Sequence, residues 1–195
     1  MPSRRSIRCT PVHRDDRNMI ASLLSSLGIW LADLPSRLFP KLFGNIAAVV
    51  EPASLRDAPR LAQLHRASFH RGWGTDEFEQ ILIERNALAH RLRRGNNTIG
   101  FIVSRIAADE AEILSVAIAP KYRGKGYSRD LLRTHLGHLV GYGLKTVFLE
   151  VEENNRPARS LYQRAGFRVV GRRERYYKDA GGEQLNAVVM QRDLS

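Results

Sequence analysis

The sequence predicts a mixed α/β domain: one central twisted sheet of about six to seven strands, flanked by about four helices. Three observations point to it. From Asn45 onward, short apolar runs rich in Val, Ile and Phe alternate with stretches whose apolar residues recur at helical spacing. Glycine- and asparagine-containing turns punctuate those runs at intervals suited to strand–strand and strand–helix connections. At 195 residues the chain can bury one sizeable core with a short appendage, and it contains no internal repeat.

The elements follow in order. Ile46 to Val50 reads as a strand. Residues 54 to 68 read as a helix, with Leu55, Ala58, Leu61, Leu64 and His65 on one side and Pro59 in the first turn. Thr75 is the expected N-cap of a second helix, whose first turn carries Asp76 and Glu77 and whose Phe78, Ile81 and Leu82 face inward. Ala87 to Arg93 and Thr98 to Ile106, joined through Gly95-Asn96-Asn97, read as a hairpin. Glu112 to Ala119 is a strand, Gly126 to Val140 a helix stopping at Gly141 or Gly143, and Thr146 to Val151 a strand. Pro157 to Ala165 is a short helix ended by Gly166. Phe167 to Tyr176 and Leu185 to Gln191 are the last strands, separated by Gly181-Gly182.

Residues 1–45 differ in character. Arg4, Arg5, Arg8, Arg14 and Arg17 come first, then Ile20, Leu23, Leu24, Leu27, Trp30, Leu31 and Leu34 at helical spacing, ended by Pro35 and Pro40. The apolar run is too short to span a membrane, and no small-x-small cleavage site follows it, so neither stable membrane insertion nor a secretory signal is expected. An interfacial amphipathic helix, packing on the domain, and a segment without fixed structure all remain open. Met19 directly precedes the amphipathic stretch, which marks residues 1–18 as a candidate upstream extension of the true start.

The formal net charge is +11, with basic residues spread along the chain. That balance suits acidic partners (a nucleotide-like cofactor, a ribosome or other RNA, an anionic membrane surface) as readily as it suits a solvated basic exterior. Cys9 is the single cysteine, which excludes an intrachain disulfide and a cysteine-based zinc site. The six histidines show no metal-ligand spacing. His135 and His138 share a helix face without an obvious carboxylate, the pattern of packing or surface residues.

The most informative stretch is Val116 to Arg129. A β-branched run ends at Pro120, a loop with Gly124 and Gly126 among Lys121, Arg123 and Lys125 follows, and an amphipathic pattern begins at Leu131. Helix N-termini carry unpaired N–H groups and partial positive charge, so a strand–glycine loop–helix junction is a ready phosphate cradle. An ordinary turn is the plain alternative. Two familiar phosphate loops do not fit. The P-loop needs Gly-Lys-Ser/Thr, and here Tyr127-Ser128 follows Gly126; the dinucleotide fingerprint needs a third glycine, and position 129 is Arg.

Arg123-Gly124-Lys125-Gly126-Tyr127-Ser128 resembles the Q/R-x-x-G-x-G/A motif of the GNAT acetyltransferases, which bind acetyl-CoA; Ser128 departs from the usual Gly or Ala but is small. Phe148-Leu149-Glu150-Val151-Glu152-Glu153-Asn154-Asn155 and Ala158-Arg159-Ser160-Leu161-Tyr162-Gln163-Arg164-Ala165-Gly166-Phe167 are similar to the LEV…N…A…LY…GF signature of the ribosomal-protein alanine N-acetyltransferases, the RimI-type branch. The resemblance runs from about residue 47 to 193. It implies the GNAT fold over residues 46–195, acetyl-CoA as co-substrate without a metal, a cytoplasmic location, and a protein N-terminus as acceptor, that of a ribosomal protein included; no direct DNA binding is expected.

The resemblance also implies site residues. The backbone of Val116, Ala117 and Ile118 would hold the acetyl and pantetheine portions. Arg123, Gly124, Lys125, Gly126, Tyr127, Ser128 and Arg129 would hold the phosphates, and Asn155 would touch the cofactor or cap the helix it precedes. Glu150 matches the family's proton acceptor, and a charged residue in so apolar a strand is costly unless paired or used; a strand-end Glu reaching solvent is the alternative. Tyr162 matches the tyrosine that protonates the leaving thiolate, where a core tyrosine would otherwise be expected. Trp73 and Tyr176 match acceptor-site positions, and Tyr177 lies beside Tyr176. Glu152 and Glu153 form an acidic patch next to Glu150, and Asn186 stands where an acidic residue is common. Acetylation of a small-molecule amine or a lysine, and non-catalytic sensing of acetyl-CoA, remain alternatives.

Overall fold

The structure, a computed structural model, describes residues 47–178 and 184–194; the predicted N-terminal extension lies outside the described residues. Strands β1 (Ala48–Pro52), β2 (Ala87–Arg94), β3 (Asn97–Ala107), β4 (Glu110–Ile118), β5 (Thr146–Glu152), β6 (Arg168–Lys178) and β7 (Gln184–Asp193) form one sheet in the order β1-β2-β3-β4-β5-β7-β6. Four helices complete the domain: α1 (Ala58–Arg66), α2 (Thr75–Ile83), α3 (Tyr127–Gly141) and α4 (Arg156–Arg164). Seven strands and four helices agree with the architecture expected from the sequence.

Neighbouring strands are antiparallel except β4 and β5, which are parallel and joined through α3. A parallel pair needs such a crossover, whereas the β2–β3 turn needs only Gly95-Asn96, with Gly95 at φ +59°. Two apolar clusters cover the faces. One joins Leu131, Leu132, Leu136 and Leu139 of α3 and Tyr162 of α4 to Ile113, Val147, Leu149 and Met190. The other joins Leu61 and Leu64 of α1 and Phe78 and Ile81 of α2 to Phe101, Val103 and Ala117. Phe78 and Phe101 are fully buried edge to face, centroids 5.3 Å apart; burial of each such ring is worth about 1.5–3 kcal/mol.

Several boundaries differ from the expected ones by a few residues, and two of the differences have a clear local cause. The first helix opens as a 3₁₀ turn, Leu55–Asp57, because the Asp57 carboxylate accepts from both the N–H and the hydroxyl of Ser54, at 2.8 and 2.9 Å. The second helix is capped by Gly74, not Thr75: the Glu77 carboxylate folds back onto the Gly74 N–H, which moves the cap one residue earlier.

The histidines of α3 separate. His135 is wholly buried and bonded to Ser104 Oγ at 2.7 Å and to the ring of His90 at 2.9 Å, while His138 is exposed. Desolvation pushes the pKa of His90 and of His135 well below the usual imidazole range; nearby His138 adds to the shift of His90, and His90 and His138 add to that of His135. His135 is thus a packing residue and His138 a surface one. Among the described residues no group of three or more His, Cys, Asp or Glu side chains is placed to hold a metal ion.

Candidate active site

The sheet opens between its two parallel strands. β4 and β5 pair from Glu110–Thr146 to Ile113–Leu149 and share no register beyond. At that point β4 is bulged: Val103 pairs Ser115, Ser104 pairs Ile113, and Leu114 is skipped. β4 continues to Ile118 paired only with β3, and β5 continues to Glu152 paired only with β7. The edge of Leu114 to Ile118 toward β5 therefore presents backbone groups with no strand opposite, a place where an extended amide-bearing ligand can pair. This includes Val116, Ala117 and Ile118, with Val116 half-buried and the other two buried.

The glycine loop stands at the end of that lip. Gly124 and Gly126 have φ of +72° and +84°, a left-handed backbone that a side chain would strain; an added Cβ at Gly124 would meet nothing within 4 Å. Glycine is required here by backbone conformation. Gly126 is the N-cap of α3, and its carbonyl receives the N–H groups of Arg129 and Asp130 at 3.0 and 3.3 Å. The amides of Lys125 to Ser128 precede these first helical bonds, on the positive end of a 15-residue helix. Tyr127 and Ser128 are half-buried, and Lys125 is exposed with its Nζ 5.7 Å from the Tyr122 ring centroid. Arg129 is exposed and 3.7 Å from Asp130. Arg123 turns back from the loop: Nε donates to Ile118 O at 2.9 Å and Nη2 to Ser68 Oγ at 3.0 Å. A loop of this conformation and donor set fits a diphosphate.

Glu150 and Tyr162 lie on either side of the opening, on opposite faces of the sheet. Val147, Leu149 and Val151 enter the cluster that contains Tyr162. Strand alternation then turns Glu150 to the other face, the one on which α1 and α2 pack. Its side chain is 12% exposed, and Oε1 receives Nε of Arg173 at 2.9 Å. Tyr162 is 8% exposed, edge to face with Phe167, in a cluster that draws Val116 and Ile118 from one lip and Val151 from the other. Asn155 is the N-cap of α4, Oδ1 accepting the Ala158 N–H at 3.2 Å.

One member of the acidic patch beside Glu150 is already engaged. Glu153 accepts from Arg172 at 2.6 Å and from Asn186 at 3.1 Å, contacts that hold its carboxyl below the usual range. Trp73 sits in the α1–α2 loop, half-buried against the cluster that Leu114 also joins. The backbone of Tyr176 belongs to β6; its side chain lies outside the described residues.

Two side chains around the site are not evident from sequence spacing. Arg173 meets Glu150 only because β7 inserts between β5 and β6, a strand order that no local pattern reveals. His65 receives the Trp73 amide; its one signal is a histidine on an otherwise apolar helix face shortly before a tryptophan loop.

Comparison with known proteins places the chain in a family. The model described as the acetyltransferase (GNAT) family matches residues 58–167. The [ribosomal protein bS18]-alanine N-acetyltransferase of Haemophilus influenzae is 40% identical over 100 residues, 51% of this chain and 68% of its own. The N-alpha-acetyltransferase RimI of Mycobacterium tuberculosis is 33% identical over 143 residues, 70% of this chain and 87% of its own. The crystal structure of the Escherichia coli ribosomal-protein-S18-alanine N-acetyltransferase superposes with a TM-score of 0.72 at 24% identity, covering 76% of this chain and 95% of that one.

Proposed function

The chain belongs to the GNAT family of acetyltransferases, and from that premise we propose that this acetyl-CoA-dependent N-acetyltransferase acts on the N-terminal α-amine of a protein, an alanine terminus of a ribosomal protein in the first place. Residues 46–195 form the catalytic domain on this reading, with residues 1–45 as an extension. The relatives at 40% and 33% identity act, by name, on the alanine of a ribosomal protein and on an α-amine. No helix among the described residues is long and apolar enough to cross a membrane.

The observation that carries the mechanism is the separation of Glu150 and Tyr162 onto opposite faces of a sheet that opens between them. Direct transfer adds the amine to the thioester carbonyl and then expels the thiolate from the tetrahedral intermediate, so it needs a base near the nitrogen and a separate acid near the sulfur. The bare edge of Val116 to Ile118 holds the acyl end, and the loop amides with the side chains of Lys125 and Arg129 hold the phosphates, with Asn155 on the far lip; Arg123 braces the loop through Ile118 O and Ser68 Oγ. An α-amine, with a pKa of about 7.7–8.0, loses its proton near neutrality far more readily than a lysine at about 10.4. Glu150, directly or through water, takes that proton before the freed lone pair attacks the carbonyl; the nitrogen sheds a second proton to solvent as the tetrahedral intermediate collapses, and Tyr162 gives its hydroxyl proton to sulfur as the C–S bond breaks. Trp73 borders the acceptor side on this reading.

Mass spectrometry of the protein with acetyl-CoA and three acceptors tests this: a peptide beginning with Ala, an N-terminally blocked peptide containing Lys, and a polyamine. Acetylation of the first alone is expected. Preference for either of the others moves the acceptor to a side chain or a small amine, and binding of acetyl-CoA without turnover of any amine leaves a sensor.

A further inference from the structure

The loop that carries Trp73 leaves the end of α1 and returns to α2, and one buried imidazole holds it. His65 is 4% exposed, and its Nδ1 accepts the backbone N–H of Trp73 at 2.9 Å. The same ring stacks on the Trp73 indole (centroids 4.7 Å apart, planes 10° from parallel) and on Phe69 (4.3 Å, 28°). Phe78 of α2 meets it edge on at 5.8 Å, and Phe101 of β3 lies beneath at 6.2 Å. A backbone amide in so apolar a setting needs a partner, and this ring is the one it has. Glycine at position 72 completes the arrangement: a Cβ there would lie 2.4 Å from Arg66 Cγ and 2.8 Å from Arg66 Cα, so the chain passes directly against the end of α1.

We propose that His65 is a positioning residue for the acceptor: it latches the 67–74 loop through the Trp73 amide and so sets the wall against which the acceptor's first residues bind. The inference rests on the acceptor reading given above and extends it to a residue that touches no substrate. The latch works only with a neutral ring whose proton is on Nε2, since Nδ1 must keep its lone pair. Burial maintains that state, lowering the pKa to about 4, and the one charge acting on the ring from a neighbouring element, Glu77 of α2, only weakly opposes it. Phe78 and Phe101, from the other elements packed on it, carry no charge.

Two substitutions separate the latch from simple packing. His65→Phe keeps the ring and its stacking but leaves the Trp73 amide unpaired; His65→Asn loses the ring but returns an acceptor near the Nδ1 position. His65→Phe is expected to raise KM for an Ala-starting peptide about tenfold with the Kd of acetyl-CoA unchanged, and His65→Asn to recover most of that loss. An unchanged peptide KM in His65→Phe, an equal loss of both ligands, or His65→Asn as impaired as His65→Phe overturns the latch. Nitrogen-15 NMR of the unmodified protein tests the same point without a variant: a bare Nδ1 at pH 7 and a slowly exchanging Trp73 amide are expected, and an Nδ1–H tautomer contradicts the proposal. Absence of wild-type turnover on any peptide would instead remove the acceptor reading, while the NMR result would still decide whether the latch exists.

Discussion

Arg173 of β6 reaches past β7 to Glu150 of β5, Nε to Oε1 at 2.9 Å, and fixes the direction of a carboxylate that is otherwise nearly enclosed. The pair ties the expected base to the strand that leads into Tyr176. Replacing Glu150 by Gln removes proton acceptance while keeping shape, and is expected to lower kcat by on the order of 10²-fold or more with acetyl-CoA affinity retained. Arg173→Gln, which leaves the carboxylate in place but untethered, is expected to cost less. Steady-state kinetics with calorimetric measurement of acetyl-CoA binding checks both, and full activity of Glu150→Gln removes the base from the mechanism.

Tyr162→Phe keeps the buried ring and its contact with Phe167 and deletes only the hydroxyl. A drop in kcat of on the order of 10²-fold, with acetyl-CoA affinity retained, is the expected outcome. A thermal melt alongside the kinetics separates the chemical loss from unfolding. If turnover survives, the leaving thiolate takes its proton from elsewhere.

Gly126 has φ +84° and caps α3. Gly126→Glu introduces a strained backbone and a negative charge where the phosphates should sit. Loss of acetyl-CoA binding by calorimetry is expected, with the circular dichroism of the domain preserved. Binding at wild-type affinity would mean that the diphosphate is held elsewhere.

Acid should destabilise the domain through its buried histidines. Burial lowers the pKa of His65 to about 4 and moves those of His90 and His135 in the same direction. The unfolded chain takes up these protons near pH 6.5 and the folded chain only well below it. Stability is therefore fully present above pH 6.5 and falls as the pH drops, by at most about 1.4 kcal/mol per pH unit for each histidine. Urea unfolding at pH 7, 6 and 5 should show midpoints falling in that order; a flat series contradicts the burial of these rings.

Gly72→Ala offers a test of the acceptor wall that leaves His65 intact. The new methyl would press on the Arg66 backbone and displace the Trp73 loop. The peptide KM should rise while the acetyl-CoA KM stays constant, and initial-rate kinetics varying one substrate at a time distinguishes the two.

Much of this was legible in the sequence, for local reasons. The strand–glycine loop–helix junction announces itself because conformation, charge and helix start coincide within a few residues, and Gly126 is found where that pattern puts it. Glu150 stands out as the charged member of the apolar run Val147 to Val151. What stayed hidden depends on non-local pairing. The opening beyond Ile113 and Leu149 arises from a bulge at Leu114 that no composition signals, and the Arg173 contact depends on the insertion of β7. Arg123 reads as a phosphate ligand from its place in the motif, yet its guanidinium is spent on Ile118 O at the end of β4 and on Ser68 Oγ in the loop after α1, the latter brought close only by the tertiary fold. Thr75 reads as a cap because threonine favours that position, and the Glu77 carboxylate reaching Gly74 overrides the preference.

The most direct test is a structure of the protein bound to a bisubstrate analogue, coenzyme A joined through an acetyl bridge to the α-amine of an Ala-starting peptide. The bridge should thread the gap between β4 and β5, with its nitrogen near the Glu150 carboxylate on one face and its sulfur within reach of the Tyr162 hydroxyl on the other. A bridge that lies outside that gap, with both groups distant from it, would contradict the account.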